Sequence, residues 1–252
     1  MLATDRRNEI LKTLSIEGSV KVSKLTREFD VSVETIRRDL EILEKKELLK
    51  RVHGGAILKG NKPGKLNYSK RKDEFINEKI EIAKKAVTHI EEGSLIVLNN
   101  STTNLEIAKE IKRHFEDLTI ITNSLMIVNE LADKENFTLI LLGGVLNSKE
   151  YSFDGQFVEG MLSNFIAHKA FLSVGGVSLL RGVTDYLMSE IHIQKQFMEI
   201  AQEVIILVTS NNIDNESLVK IADIEDINLI ITDSNLNPDI LQKYTEYGVE
   251  IQ

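Results

Sequence analysis

Thr35, Arg37 and Arg38 fall within four positions of one another in the run Val31-Ser32-Val33-Glu34-Thr35-Ile36-Arg37-Arg38-Asp39-Leu40. An arginine guanidinium can bond the O6 and N7 of guanine together, and a threonine or serine hydroxyl can reach a base or a phosphate. Carried in the first turns of one helix, these groups suit the major groove of DNA. An isolated arginine pair is ordinarily a solvated helix face. Here a second basic stretch follows, Arg51-Val52-His53-Gly54-Gly55-Ala56, whose glycines permit a tight turn. The candidate DNA contacts are Ser32, Glu34, Thr35, Arg37, Arg38, Arg51, His53 and Gly54.

Such groups need particular supports, and the surrounding pattern provides them. Ile10, Leu11 and Leu14 recur at helical spacing up to Glu17-Gly18, and Val22, Leu25 and Phe29 do so again. Asp30-Val31-Ser32 interrupts the second run, and Ser32 stands where an N-cap accepts the amide of Glu34 or Thr35. Ile36, Leu40 and Leu43 form the buried stripe of a third helix, which leaves Glu34, Thr35, Arg37, Arg38 and Glu41 on its other faces. Leu48-Leu49-Lys50-Arg51-Val52 has the makings of a strand and His53-Gly54-Gly55 of its turn, together a β-wing. The expected unit is a winged helix-turn-helix over residues 1–58.

Charge divides the chain in the same place. Residues 1–72 hold 18 lysines and arginines against 10 acidic residues, the remainder 13 against 29, so a head of +8 precedes a body of −16 in a chain of net −8. A cationic head gains affinity by releasing counterions from phosphates, while an acidic body is repelled by DNA. With 252 residues, 42% of them hydrophobic, two domains are expected. The longest apolar runs, such as Val204-Ile205-Ile206-Leu207-Val208, fall far short of the roughly 20 residues that cross a bilayer. Met1 to Lys12 carries charges where a signal peptide would be apolar, and there is no cysteine, so a cytoplasmic protein without membrane, disulfide or thiolate-metal chemistry is expected. The five histidines are scattered with no pair at ligand spacing, and neither metal nor cofactor is expected.

Lys59-Gly60-Asn61-Lys62-Pro63-Gly64-Lys65 is polar and rich in turn formers. The next basic residues, Tyr68-Ser69-Lys70-Arg71-Lys72, could touch DNA backbone or pack on the body, and a solvated linker over 59–76 is the favoured reading. From residue 77 to 252, short apolar strands alternate with helices: strands at Leu95–Leu98, Leu118–Ile121, Phe137–Leu142, Ala170–Val174, Val204–Val208 and Leu229–Ile231, helices at Ile80–Ile90, Leu105–Phe115 and Leu125–Ala132. This is the pattern of a Rossmann-like α/β parallel sheet covered on both faces.

Ligands of such sheets sit beyond the carboxyl ends of the strands. The first of these ends is Asn99-Asn100-Ser101-Thr102-Thr103-Asn104, at the start of a helix whose amides could cradle a phosphate or sugar hydroxyls, or where Ser101 or Thr102 merely caps. Asn123, Gly175, Gly176, Asp185 and Thr209 stand at other ends of the same rim, with Glu190 and Lys195 on the helix that follows Asp185. Together they form the candidate site for a small-molecule effector.

Over nearly its whole length the chain resembles a DeoR-type bacterial transcription regulator. The most specific stretches are Val31–Leu40 and Arg51–Ala56; Thr122-Asn123-Ser124, Leu142-Gly143-Gly144, Lys169–Leu172 and Gly182–Asp185 also match. The resemblance implies a repressor of a sugar-utilisation operon, and a body related in fold to ribose-phosphate isomerase that binds a phosphorylated sugar. The chain departs from the family where Asn99-Asn100-Ser101-Thr102-Thr103 replaces Asp-x-Gly-Thr-Thr, and where Thr209-Ser210-Asn211-Asn212 replaces Asp-Ser-Ser-Lys. Two carboxylates and a lysine are thereby lost, which points to an altered effector.

Two alternatives remain. Asp185, Glu190 and Lys195 could serve an isomerase as base, acid and anion clamp, although the replacements at Asn99 and Thr209 remove the better bases and catalysis is not expected. The body could also be ligand-blind, with Glu190 and Lys195 forming only a surface ion pair. A single winged helix buries little DNA surface, so a homo-oligomer on double-stranded operator DNA is expected.

Overall fold

The computed structural model describes residues 6–7, 9–11, 13, 19–45, 49–52, 54–58, 68–154 and 161–252. It divides into two compact units, Met1–Leu66 and Asn67–Gln252.

In the first unit, helical backbone among residues 6–13 precedes β1 (Ser19–Lys21), α1 (Val22–Phe29), α2 (Val33–Lys45), β2 (Leu49–Val52) and β3 (Gly55–Leu58). Asp30 ends α1 in the left-handed region, with φ of 50°, a conformation that Asp tolerates better than most side chains. Ser32 then starts α2 by accepting the Thr35 amide at 3.2 Å, one of the two alternatives expected for its cap bond. Ile36, Leu40 and Leu43 face inward as expected and share a core with Ile10, Val20, Leu25, Leu49 and Ala56. The sheet is antiparallel in the order β1-β3-β2. β1 was not expected, because three residues are too few to show a period of two. Gly55 is required where β3 meets β1: an added Cβ would lie 2.0 Å from the Val20 carbonyl oxygen.

The second unit opens with α3 (Tyr68–Asp73) and α4 (Ile76–Val87). Its parallel sheet has six strands in the order β14-β12-β9-β4-β5-β6, with β4 at Leu95–Leu98, β5 at Thr119–Thr122, β6 at Thr138–Leu141, β9 at Ala167–Ser173, β12 at Ala201–Leu207 and β14 at Leu229–Ile231. Every one of these strands was legible as an apolar run. Both faces are buried, Val97, Ile121, Leu172 and Ile206 in one cluster and Ile96, Ile120, Phe171 and Ile205 in the other. Successive strands run outward from β4 in one direction and from β9 in the other, so the order reverses between β4 and β9. The helices include α5 (Thr102–His114), α6 (Leu125–Leu131), α7 (Met188–Glu199) and α8 (Pro238–Tyr247).

Short antiparallel pieces were not foreseen: a hairpin of β7 (Val145–Asn147) and β8 (Ser152–Asp154), and a sheet of β10 (Gly176–Ser178), β11 (Gly182–Asp185) and β13 (Val219–Ala222). The expected linker needs correction at its end. Residues 59–67 lie outside the described residues, but Tyr68–Asp73 is helical and belongs to the body. Tyr68 is buried and meets Tyr151 edge-on at 5.7 Å. A six-residue helix with most of its side chains charged shows too little apolar periodicity to be separated from a solvated linker.

Candidate nucleic-acid interface and ligand site

On α2, Arg37 and Arg38 are exposed, as are Ser32 and Glu34, while Thr35 is half-buried and bonded to Ser32. The helix can present these groups because its inner face is fixed by the apolar stripe and by a buried ion pair, Arg6 Nε to Asp39 Oδ2 at 2.6 Å. Arg7 adds a longer contact to the same carboxylate, 3.5 Å. Asp39 was not marked by the sequence, since its partner lies 33 residues away.

The wing is tied to α2 by Glu44, which accepts the Arg51 amide at 2.8 Å and Arg51 Nε at 2.6 Å. These two bonds hold the Glu44 carboxyl below its ordinary range. Arg51 therefore serves the wing's position through its Nε before any contact with DNA. Gly54 turns the wing at φ of 79°, and His53 lies outside the described residues. A groove between helix and wing is lined by Arg37, Glu44, Arg51, Val52 and Gly54 among others. Replacing Glu44 with alanine is expected to weaken DNA binding a few-fold by loosening the wing, with less loss for glutamine, which keeps an acceptor for the amide. Anisotropy titrations of both variants at fixed salt check this, and equal affinity of E44A and wild type would contradict it.

In the body, the rim residues fall into two groups. Asn99 and Asn104 complete the backbone where the strand order reverses. Asn99 donates Nδ2 to the Ser173 carbonyl at 3.0 Å and accepts the Ser173 amide at 2.9 Å, joining the ends of β4 and β9. Asn104 donates to the carbonyls of Asn99 and Phe171. Ser101 caps α5 through the Asn104 amide at 2.8 Å, and Thr102 and Thr103 are buried in its first turn. An aspartate at 99 could not donate to Ser173, so the asparagine there has a structural reason. Gly176 also serves packing, because an added Cβ would come within 2.6 Å of the Asn215 carbonyl oxygen. At Gly175 the nearest atoms to an added Cβ are side-chain atoms of Ser217 and Tyr186. Thr209 is buried, and the Ser210 beside it bonds Asp233 through both amide and hydroxyl at 2.8 Å.

The second group is a buried polar cluster. Asn100 donates to the Glu150 carbonyl at 3.1 Å and to Glu190 Oε1 at 3.3 Å, and its own amide is fixed by Asn123 Oδ1 at 2.9 Å. Asp185 accepts Gln194 Nε2 at 2.9 Å and the Tyr186 amide at 2.6 Å. Arg71 reaches in from α3 to bond Glu150 at 2.6 Å, with Tyr186 and Tyr68 rings 5.6 and 6.0 Å from its guanidinium carbon. Lys195 is not part of this cluster. It is exposed while Glu190 is 1% exposed, because five residues turn roughly 140° around a helix axis. The surface ion pair considered for them is excluded by the same geometry.

Arg71, Glu150 and Tyr186 belong to this cluster and were not among the candidate residues of the sequence. Arg71 shares a helix face with Tyr68, three residues earlier, which is the one local signal available; Glu150 lies in a hairpin turn, 79 residues from Arg71, and carries none.

Burial pushes Glu190 up to about 7, and the nearby charges of Asp185 and Glu150 add to this while Ser152 and Asn100 oppose it. Asp185 is raised in the same direction, again chiefly by burial. Burial opposes the charge of Arg71, but Tyr186, Glu150 and Glu190 outweigh it and the net shift is upward. A carboxyl whose folded value is raised keeps a proton that the unfolded chain has already released, so stability falls as pH climbs from the ordinary carboxylate range toward 7. Glu190 should contribute a loss on the order of 1–3 kcal/mol between pH 5 and 8. Urea unfolding of wild type and E190Q at both pH values measures it; the same pH dependence in both proteins would contradict the assignment.

Comparison with known proteins bears on both units. Residues 6–61 match the family model described as the DeoR-like helix-turn-helix domain, and residues 74–234 that described as the DeoR C terminal sensor domain. The HTH-type transcriptional regulator YulB of Bacillus subtilis is 34% identical over all of this chain and 96% of its own. A lactose phosphotransferase system repressor of Lactococcus lactis is 33% identical over 96% of this chain and 95% of its own. The glycerol-3-phosphate regulon repressor of Escherichia coli is 28% identical over all of this chain and 99% of its own. Among solved structures, ribose 5-phosphate isomerase A of Methanocaldococcus jannaschii aligns over 56% of this chain and 55% of that one, with TM-score 0.41 and 16% identity, too loosely to carry an argument.

Proposed function

The chain belongs to the DeoR family of transcription regulators, and we propose that it represses a sugar-utilisation operon and is released from DNA by a phosphorylated sugar or related metabolite. The observation that carries the DNA half is the exposure of Arg37 and Arg38 on a helix whose other face is fully committed to the head's core and to Arg6. The capped first turn and the wing held by Glu44 support a major-groove reading in which α2 meets base edges. Two related repressors are named for a lactose phosphotransferase system and for glycerol 3-phosphate, which favours repression and a phosphorylated sugar or related metabolite as effector.

The effector half rests on the cluster at the carboxyl end of the sheet, beside the point where strand order reverses. Glu190 and Asp185 offer acceptors for sugar hydroxyls, and Arg71 offers a guanidinium to an anionic group, in place of the lysine that the family usually has near Asn212. The replacements at Asn99 and Thr209 therefore change the site without emptying it of charge. Catalysis is no part of this reading, because Lys195 lies away from Glu190 and Asp185 is engaged by Gln194. We place the regulator in the cytoplasm as a homo-oligomer, since one head offers too little surface for tight specific binding. Among the described residues no helix is long and apolar enough to cross a membrane.

Calorimetry of the full-length protein against a panel of sugar phosphates tests the effector assignment. Micromolar binding of one member is expected. Binding of none, or turnover of any member above the buffer blank in an isomerase assay, would overturn it.

A further inference from the structure

We propose that Arg71 is the residue that receives the anionic group of the effector, and that Glu150 holds its place until the effector arrives. This rests on the functional reading above and adds to it a named ligand residue and a route for the signal.

The Arg71 side chain is 11% exposed, and its guanidinium is brought to the loop after β4 through Glu150, whose backbone carbonyl accepts Asn100. Two aromatic rings, Tyr68 and Tyr186, lie near it. A planar guanidinium framed in this way has its donor directions set in advance, which favours binding of a carboxylate or phosphate through a fixed fork. Three acidic side chains, Glu150, Asp185 and Glu190, all at least nine-tenths buried, crowd around this one guanidinium. Buried charges of one sign are costly, and such a cluster contributes little to stability. It is better suited to exchanging partners than to holding a core together.

Glu150 is the carboxylate that can leave. It sits in the turn between β7 and β8, a hairpin of three residues on each side, whereas Asp185 ends a strand of a three-stranded sheet and Glu190 lies in the first turn of a twelve-residue helix. A phosphate dianion competes with the Glu150 carboxylate for the Arg71 guanidinium, and when it enters, Glu150 takes its own negative charge away from the neighbourhood. The exchange acts on α3, which is the first element of the body after the residues that join it to the head. That helix is held by Arg71 on Glu150 and by Lys79 Nζ, which donates to the carbonyls of Arg71 and Glu74. A ligand that takes Arg71 therefore replaces one of these ties with a contact to itself.

Inorganic phosphate is the probe, titrated calorimetrically into the full-length protein in a phosphate-free buffer. E150Q, which removes the competitor and keeps the side chain's size, should bind phosphate several-fold more tightly than wild type. R71Q should lose the binding and R71K should keep a weak remnant. A gain in E150Q cannot come from misfolding, so the test stands even if R71Q is unstable. Equal affinity of wild type and R71Q, or no gain in E150Q, would overturn the proposal. A sugar phosphate that binds wild type and R71Q alike would also overturn it while leaving the functional reading intact. Failure of that reading has a different signature, a panel in which no member binds wild type.

Discussion

Replacing Arg37 and Arg38 together with alanine should abolish specific operator binding while leaving the thermal transitions in place. Both side chains are exposed on α2, whose stability comes from Ile36, Leu40, Leu43 and Asp39 on its inner face. Each arginine that bonds a base bidentately accounts for about 1–3 kcal/mol of discrimination, so the pair is expected to cost roughly 30-fold to 20,000-fold in affinity for the operator. The double lysine variant separates two roles. Lysine keeps the charge and the salt dependence but lacks the planar fork, so R37K/R38K should bind operator and unrelated DNA with similar affinity. Anisotropy titrations at two salt concentrations read both quantities. Retained preference for the operator in the double lysine variant would assign these residues to the phosphate backbone instead.

The second large effect lies beneath the same helix. Asp39→Ala leaves the Arg6 guanidinium buried without its carboxylate, a change that typically costs about 3–5 kcal/mol. A head of this size has few kilocalories in reserve, because a small unit buries a low fraction of its surface. The head is therefore expected to unfold at ordinary temperature and to lose DNA binding, while the Asn67–Gln252 unit keeps its own transition. Asp39→Asn should fall between, since the amide oxygen still accepts from Arg6. Scanning calorimetry of the full-length protein distinguishes the two transitions; a head that melts in D39A as it does in wild type would show that the pair contributes little.

The difference between Asp39 and its neighbours explains what sequence can convey. Ile36, Leu40 and Leu43 announce their burial through period and hydrophobicity, and Ser32 announces a cap through its place before the stripe. Asp39 looks like any surface acid until the fold brings Arg6 beside it. The six strands of the parallel sheet were legible because burial on both faces makes each a continuous apolar run. β1, the β7–β8 hairpin and α3 were not, because three to six residues carry too little pattern. At the rim, polarity marked strand ends but could not say which polar groups turn to the backbone and which to one another. Asn99 and Asn104 turn their amides to the backbone at the β4–β9 junction, while Asn100 between them faces Glu190. Arg71 and Glu150, distant in sequence, meet only through the tertiary structure.

The central claim is that a DNA-reading head is controlled by a metabolite bound at the carboxyl edge of the body's sheet. Titration of the full-length protein against the DNA upstream of its own gene, at fixed salt and with each of a panel of sugars and sugar phosphates, tests it most directly. The expected result is salt-sensitive, sequence-specific binding that one phosphorylated compound releases. Specific binding that no compound alters would contradict metabolite control, and absence of specific binding would contradict the assignment of Arg37 and Arg38 to DNA.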